Sequence, residues 1–196
     1  VKAGVGFAYE FAGPAIEALS MEERMTICNM SIEGGARCGY INPDEKTFSY
    51  IKNRLCSPKN EYWERALFWW KSLKSDMNSI YDDVIKLDAS KVEPTVTWGI
   101  TPGQSVGINQ KTPLLADLSP NDQYIAEEAY QYMDFKPGQS IKDTPVDVCF
   151  IGSCTNGRIS DLRDAAKVLK NKKVSHKVKA FVVPGSEKVA LSLIHI

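Results

Sequence analysis

The sequence predicts an α/β fold with mainly parallel sheets, and three observations carry that expectation. Residues 146–183 alternate an apolar run (Val146–Ile151), a tight glycine loop (Gly152–Gly157), a helix pattern (Ser160–Lys170) and a second apolar run (Val178–Val183). A βαβ unit of this kind implies parallel strands joined by a right-handed crossover. Helix patterns recur upstream over Ser20–Ala36 and Asn60–Ser75. Hydrophobic residues make up 43% of the 196 and charged residues 24%, the balance of a chain that buries a core.

Taken in order, Ser20-Met21-Glu22-Glu23 is a capping box, with hydroxyl and carboxylate satisfying the first free N–H groups of a helix. Met21, Met25, Cys28 and Ile32 follow at helical spacing and predict a buried stripe, and Gly34-Gly35 weaken its end. A second helix is predicted over Asp44–Arg54, after Pro43. A third spans Asn60–Ser75, with Trp63, Leu67, Trp70 and Leu73 on one face; core packing accounts for its tryptophans better than a stacking platform does. Val84–Leu87 and Thr95–Trp98 read as short β-type runs, Thr101–Gln104 as a loop, and Gly107–Pro120 as a linker or an active-site loop. Asn121–Asp134 is a further helix, closed by Pro137-Gly138. The expected organisation is part of one α/β domain over residues 1–80, a connecting segment over 81–145 with short strands, loop and one helix, and the start of the next α/β domain over 146–190. The chain opens on Val1 rather than Met and closes on an apolar tail at 191–196, so it is read as an internal fragment whose last residues are not native.

Lys plus Arg and Asp plus Glu both total 24, so the formal net charge is zero and a general nucleic-acid or acidic-membrane binder is disfavoured. The lysines at 167, 170, 172, 173, 177 and 179 straddle a helix C-terminus without interleaved aromatics, which is the pattern of a solvated face. No apolar run approaches the ~20 residues that span a bilayer. Five scattered cysteines are not a disulfide framework; reduced thiols in a cytoplasmic protein are expected. His176 and His195 are the only histidines, which gives a His-based triad or a zinc site little support.

The most informative segment is Gly152-Ser153-Cys154-Thr155-Asn156-Gly157-Arg158. Cys154 lies between a strand end and a helix start, where backbone N–H groups and the helix dipole stabilise a thiolate for metal ligation or nucleophilic attack. Position alone leaves that role level with a small buried cysteine in a turn. The loop is not a phosphate-binding P-loop, because Arg158-Ile159 stand where Lys and a hydroxyl residue are required. It is not a plant-type ferredoxin run either, since Gly157 stands where that pattern needs a cysteine. Asn29 and Glu33 fall one turn apart beside the apolar stripe of the first long helix, a spacing that by itself favours a solvated face.

Thr26-Ile27-Cys28-Asn29-Met30 with Glu33, and Phe150-Ile151-Gly152-Ser153-Cys154-Thr155-Asn156, resemble the aconitase superfamily. Tyr9-Glu10-Phe11-Ala12-Gly13, Glu33-Gly34-Gly35-Ala36-Arg37, Pro43-Asp44-Glu45-Lys46-Thr47-Phe48 and Val96-Thr97-Trp98-Gly99 resemble its branch acting on isopropylmalate. The resemblance runs to about Lys188. It implies three-layer aconitase-like domains and an iron–sulfur hydro-lyase of leucine biosynthesis that isomerises 2- and 3-isopropylmalate by dehydration and rehydration. A small subunit would complete the substrate pocket. It also implies a [4Fe-4S] cluster with Cys154 as one cysteine ligand, Asn156 in a supporting role, Asn29 against the cluster and Glu33 near the oxygen on the fourth iron. The family's other two cluster cysteines, a Cys-x-x-Cys, have no counterpart among Cys28, Cys38, Cys56 and Cys149, so this chain alone is expected to be inactive. The alternatives are the same chemistry on homoaconitate or citrate, a cluster-free binding protein on the same fold, or a thiol enzyme with Cys154 as nucleophile.

Overall fold

The computed structural model describes residues 4–142, 144–153 and 155–193. Cys154 and the 194–196 part of the tail therefore lie outside the described residues. The chain forms two compact units, one of Leu87–Val148 and one of the described residues of Lys2–Lys86 and Cys149–Ile196.

In the second of these, strand β1 (Ala8–Glu10) leads through a short helix α1 (Pro14–Ala18) to helix α2 (Met21–Met30) and strand β2 (Cys38–Tyr40). β1 and β2 pair in parallel, with Ala8 opposite Cys38 and Glu10 opposite Tyr40. Ser20 caps α2 through the expected box: its hydroxyl accepts from the Glu23 N–H at 3.3 Å, and the Glu23 carboxylate accepts from the Ser20 N–H at 2.7 Å. The helix stops at Met30 rather than Ala36. The Ser31 hydroxyl takes the Cys28 carbonyl at 2.7 Å, and tight turns carry the chain through Gly35 at φ 87°, a conformation that ends a helix.

The stripe expected on α2 is only partly realised. Met21, Met25 and Cys28 are half-buried, but Ile32 lies past the helix end and is 61% exposed. The buried residue of α2 is Arg24. Its Nη2 donates to the Asp44 carboxylate at 2.7 Å and to the Glu17 carbonyl at 3.0 Å. Asp44 in turn caps helix α3 (Glu45–Ile51) by accepting from the Thr47 N–H at 3.1 Å. One carboxylate thus joins two helices.

Phe48 of α3 stacks on Trp70 of helix α4 (Glu61–Lys71), and Trp70 meets Trp63 edge-on at 5.7 Å. Leu73, expected on this face, lies beyond the last helical residue and is exposed. Glu10 ends β1 beneath a set of donors, with Tyr40, Ser75 and Tyr81 hydroxyls and the Asn42 amide all within 2.9 Å of its carboxylate. Burial pushes the Glu10 carboxyl up, but the donors from Tyr81, Tyr40, Ser75 and Asn42 outweigh it and hold the group below the usual range. Val84–Leu87 forms no strand: Val84, Ile85 and Leu87 are exposed, and no neighbouring strand pairs with the run among the described residues.

The Leu87–Val148 unit has its own core. Strands β3 (Thr95–Thr97) and β4 (Ser105–Gly107) pair antiparallel, and helix α5 (Pro120–Met133) packs Ala126, Ala129 and Tyr130 around Trp98. Trp98 stacks on Tyr130 with ring centroids 4.7 Å apart, and the Tyr130 hydroxyl donates to the Pro113 carbonyl at 2.6 Å. Ser119 caps α5, and Asp134 closes it at φ 55°, ahead of the expected Pro137-Gly138 stop.

Strand β5 (Val148–Ile151), helix α6 (Ile159–Leu169) and strand β6 (Lys179–Val182) realise the strand–helix–strand order, with β5 and β6 paired, and helix α7 (Glu187–Ser192) follows. The strands are not buried as expected. Val148 and Phe150 are more than half exposed, because a two-stranded sheet has few neighbours to cover its faces. Among the described residues no helix is long and apolar enough to cross a membrane.

Two predictions follow from these contacts. The Arg24 guanidinium holds the Asp44 carboxyl at about 2, below the usual 3.8. A carboxyl depressed in the folded state stabilises above its unfolded pKa and loses that contribution as pH falls towards the folded one. Urea unfolding of the full-length protein should therefore weaken between about pH 4 and about pH 2 more steeply in wild type than in Asp44→Asn. Near neutral pH the variant should be less stable by roughly 2 kcal/mol, since it leaves a buried guanidinium unpaired beside a partly exposed partner. Trp98→Ala should cost about 3–5 kcal/mol in the same assay by emptying the centre of the Leu87–Val148 core.

Candidate functional site

Thr26 and Asn29 are three residues apart on α2 and so lie on one side of it. The Thr26 hydroxyl donates to the Asn156 Oδ1 at 2.8 Å, with the Glu22 carbonyl also in reach at 3.0 Å. The Asn29 Nδ2 donates to the Thr155 hydroxyl oxygen at 2.6 Å. Arg158 Nη1 donates to the Thr26 oxygen at 3.1 Å and reaches Asn156 Oδ1 at 3.5 Å. Arg158 is also the N-cap residue of α6, and its N–H is accepted by the Asp161 carboxylate at 3.0 Å. The 155–158 loop and α2, about 130 residues apart in sequence, therefore meet through side-chain hydrogen bonds.

Backbone closeness holds the same loop from the β6 side. The Val183 N–H donates to Ile151 at 2.8 Å and the Gly185 N–H to Gly157 at 2.7 Å. Gly152 sits at φ 106°, where an added Cβ would strike the Val183 carbonyl oxygen. At Gly157 an added Cβ would stand 2.7 Å from the Ser153 oxygen and 2.9 Å from the Gly185 nitrogen. The two loop glycines are there because backbone fills the space of a side chain.

Asn29 and Asn156 thus stand at one node, joined through Thr26, Thr155 and Arg158. Glu33 does not share the helix with Asn29 as the spacing predicted; it lies on the exposed turn after α2, and its side chain makes no hydrogen bond among the described residues. Cys154, the ligand expected from the resemblance, falls between Ser153 and Thr155 in the loop, outside the described residues. No group of three or more His, Cys, Asp and Glu that could hold a metal occurs among the described residues. Burial pushes the Cys28 thiol up, with Cys38 adding to the effect, so Cys28 stays protonated at neutral pH.

Sequence reasoning passed over Thr26, Thr155 and Arg158 as site residues. Thr26 carries a legible signal, since it precedes Asn29 by three residues on a helix; Arg158 carries none, because its partner is distant in sequence. The node is rich in donors: two carboxamides, two hydroxyls and a guanidinium. These donors bond chiefly one another, so the node is first a polar joint between α2 and the loop. Gly152→Ala should cost roughly 2–3 kcal/mol, from a strained φ and a backbone clash, and thermal unfolding of the full-length protein beside Gly138→Ala, which meets only a Leu114 methyl, reads the clash.

The chain is 87% identical over 190 residues to the 3-isopropylmalate dehydratase large subunit of Prochlorococcus marinus strain AS9601, covering 97% of this chain and 41% of that protein. It is 79% identical over 190 residues to the protein of the same name from strain MIT 9515, with 97% and 40% covered. For that of Synechocystis sp. strain PCC 6803 the figures are 63% over 189 residues, 96% and 40%. The chain thus spans about two-fifths of the length of these relatives. The model of the aconitase family (aconitate hydratase) matches residues 1–195, and the chain belongs to that family.

Proposed function

We propose that the full-length protein is the large subunit of a 3-isopropylmalate dehydratase, a hydro-lyase that isomerises 2- and 3-isopropylmalate in leucine biosynthesis. The observation that carries this reading is the meeting of Asn29 on α2 with Thr155 and Asn156 of the loop, which joins the two aconitase-like motifs at one node. Relatives at 63–87% identity carry that name.

The donor set fits a [4Fe-4S] cluster, whose sulfurs accept hydrogen bonds that tune it. Cys154 would hold one iron, and two further cysteines would come from sequence outside this chain. When bound, the cluster supplies a Lewis acid that polarises the leaving hydroxyl. The chain's own residues orient and exchange protons around it. Asn29, its Nδ2 committed to Thr155, turns its Oδ1 the other way. Glu33, on the exposed turn after α2, would hydrogen-bond the substrate hydroxyl. Asn156 supports the loop.

The same proposal includes a small subunit completing the pocket as a heterodimer, a cytoplasmic location, three-layer domains in the full-length protein with a further α/β domain opening near residue 146, and inactivity of this chain alone. Anaerobic iron and sulfide reconstitution of the full-length protein beside Cys154→Ser tests it. Wild type should gain a four-iron visible spectrum that changes on adding isopropylmalate and not citrate, and the variant should not. If both stay colourless or both gain the same cluster, the reading fails.

A further inference from the structure

Resting on that reading, we propose that Arg158 is a positioning residue: acting with Thr26, it fixes the sense of the Asn156 carboxamide and the seat of the Gly152–Gly157 loop on α2. Three side chains form a closed ring. Arg158 Nη1 donates to the Thr26 oxygen at 3.1 Å, the Thr26 hydroxyl donates to Asn156 Oδ1 at 2.8 Å, and Arg158 Nη1 lies 3.5 Å from the same Oδ1.

Arg158 selects the polarity of the ring, because the Thr26 proton has two acceptors in reach, Asn156 Oδ1 at 2.8 Å and the Glu22 carbonyl at 3.0 Å. A guanidinium has five donors and no acceptor, so the carboxamide must turn its oxygen towards it. The Thr26 hydroxyl has a single proton, and spending it on Asn156 leaves a lone pair to accept from Arg158. The Asn156 amide nitrogen is consequently directed away from Arg158 and Thr26. Flipping the carboxamide would set its N–H groups against the Arg158 N–H, lose that charge-assisted contact and drive the Thr26 proton onto the Glu22 carbonyl. In the proposed enzyme that nitrogen becomes a donor of fixed direction in the glycine loop.

Arg158 is held for this task from its other side. Its backbone N–H is bound to Asp161 at 3.0 Å, and Nη1 lies 3.9 Å from the same carboxylate, with both side chains only about a quarter exposed. The α6 N-terminus therefore carries the guanidinium stem, and α2 supplies the hydroxyl it reads.

The test uses the full-length protein with Arg158→Leu, Thr26→Val and Thr26→Ser. In the unloaded protein, amide hydrogen exchange of peptides covering 152–158 should be ~10-fold faster in Arg158→Leu and Thr26→Val and near wild type in Thr26→Ser, which keeps the hydroxyl. Peptides of α5 should exchange alike in all, as the control for folding. In reconstituted protein with full iron, the first two variants should shift the paramagnetic resonance signature of the dithionite-reduced cluster and lower kcat ~10-fold at unchanged KM, with Thr26→Ser restoring both. Unchanged exchange overturns the proposal. So does faster exchange with an unaltered signature and kcat, which would make the ring a structural tie alone. Wild type that takes up no cluster overturns the dehydratase reading and this role with it, whereas loaded, active wild type with indistinguishable variants removes only the role of Arg158.

Discussion

A single buried cation governs how the first three helices sit. Arg24 is 3% exposed, and its Nη2 is shared between the Glu17 carbonyl at the end of α1 and the Asp44 carboxylate at the start of α3. A guanidinium taken out of water without a partner costs several kcal/mol, so none of these helices can shift without breaking the contact that makes burial of Arg24 tolerable. Its Nε and Nη1 have no partner among the described residues, which leaves Asp44 as the charge the arrangement depends on. Lys46 reinforces the same junction by donating to the carbonyls of Glu17, Ala18 and Leu19 at the C-terminus of α1.

That constraint carries through to the site. α2 is capped at Ser20, held at Arg24 and ended at Ser31, and it presents Thr26 and Asn29 on one side. On the other side of the contact, the loop is shaped by backbone against backbone at Gly157 and Gly185. Two rigid pieces meet through short polar bonds rather than apolar packing. Polar bonds specify orientation where apolar contact specifies only proximity, and an aconitase-type site needs orientation. The aromatic cluster of Phe48, Trp63 and Trp70 gives the surrounding unit its apolar bulk. The Leu87–Val148 unit has a core of its own, with the Trp98–Tyr130 stack and the buried Thr112, whose hydroxyl donates to the Lys136 carbonyl at 2.8 Å.

Local signals were read well from the sequence. The capping box at Ser20, the strand–loop–helix–strand order after residue 146, and α5 between Ser119 and Asp134 all depend on neighbours within a few residues, where hydrogen-bond geometry follows from residue type. Element ends were read less well. The apolar period runs on through Ile32 and so predicts a helix past Met30, whereas the Ser31 hydroxyl and the turns behind it compete for the backbone there. The stripe on α2 differs from its pattern for a related reason. Periodicity assigns the inside of a helix to its apolar residues, yet the innermost side chain is Arg24, buried because Asp44 awaits it twenty positions on.

Alone, the sequence determined the α/β alternation, the glycine loop, and the motifs that tie the chain to the aconitase family. It also marked Asn29 and Asn156 as residues of interest, through resemblance rather than spacing. Only the tertiary structure decided that these two stand at one node, that Thr26 and Arg158 join it, and that Glu33 lies off the helix on an exposed turn. The physical reason is range: caps, turns and periodic faces are settled within one or two helical turns, whereas a hydrogen bond spanning about 130 residues leaves no periodic or spacing signal at either end.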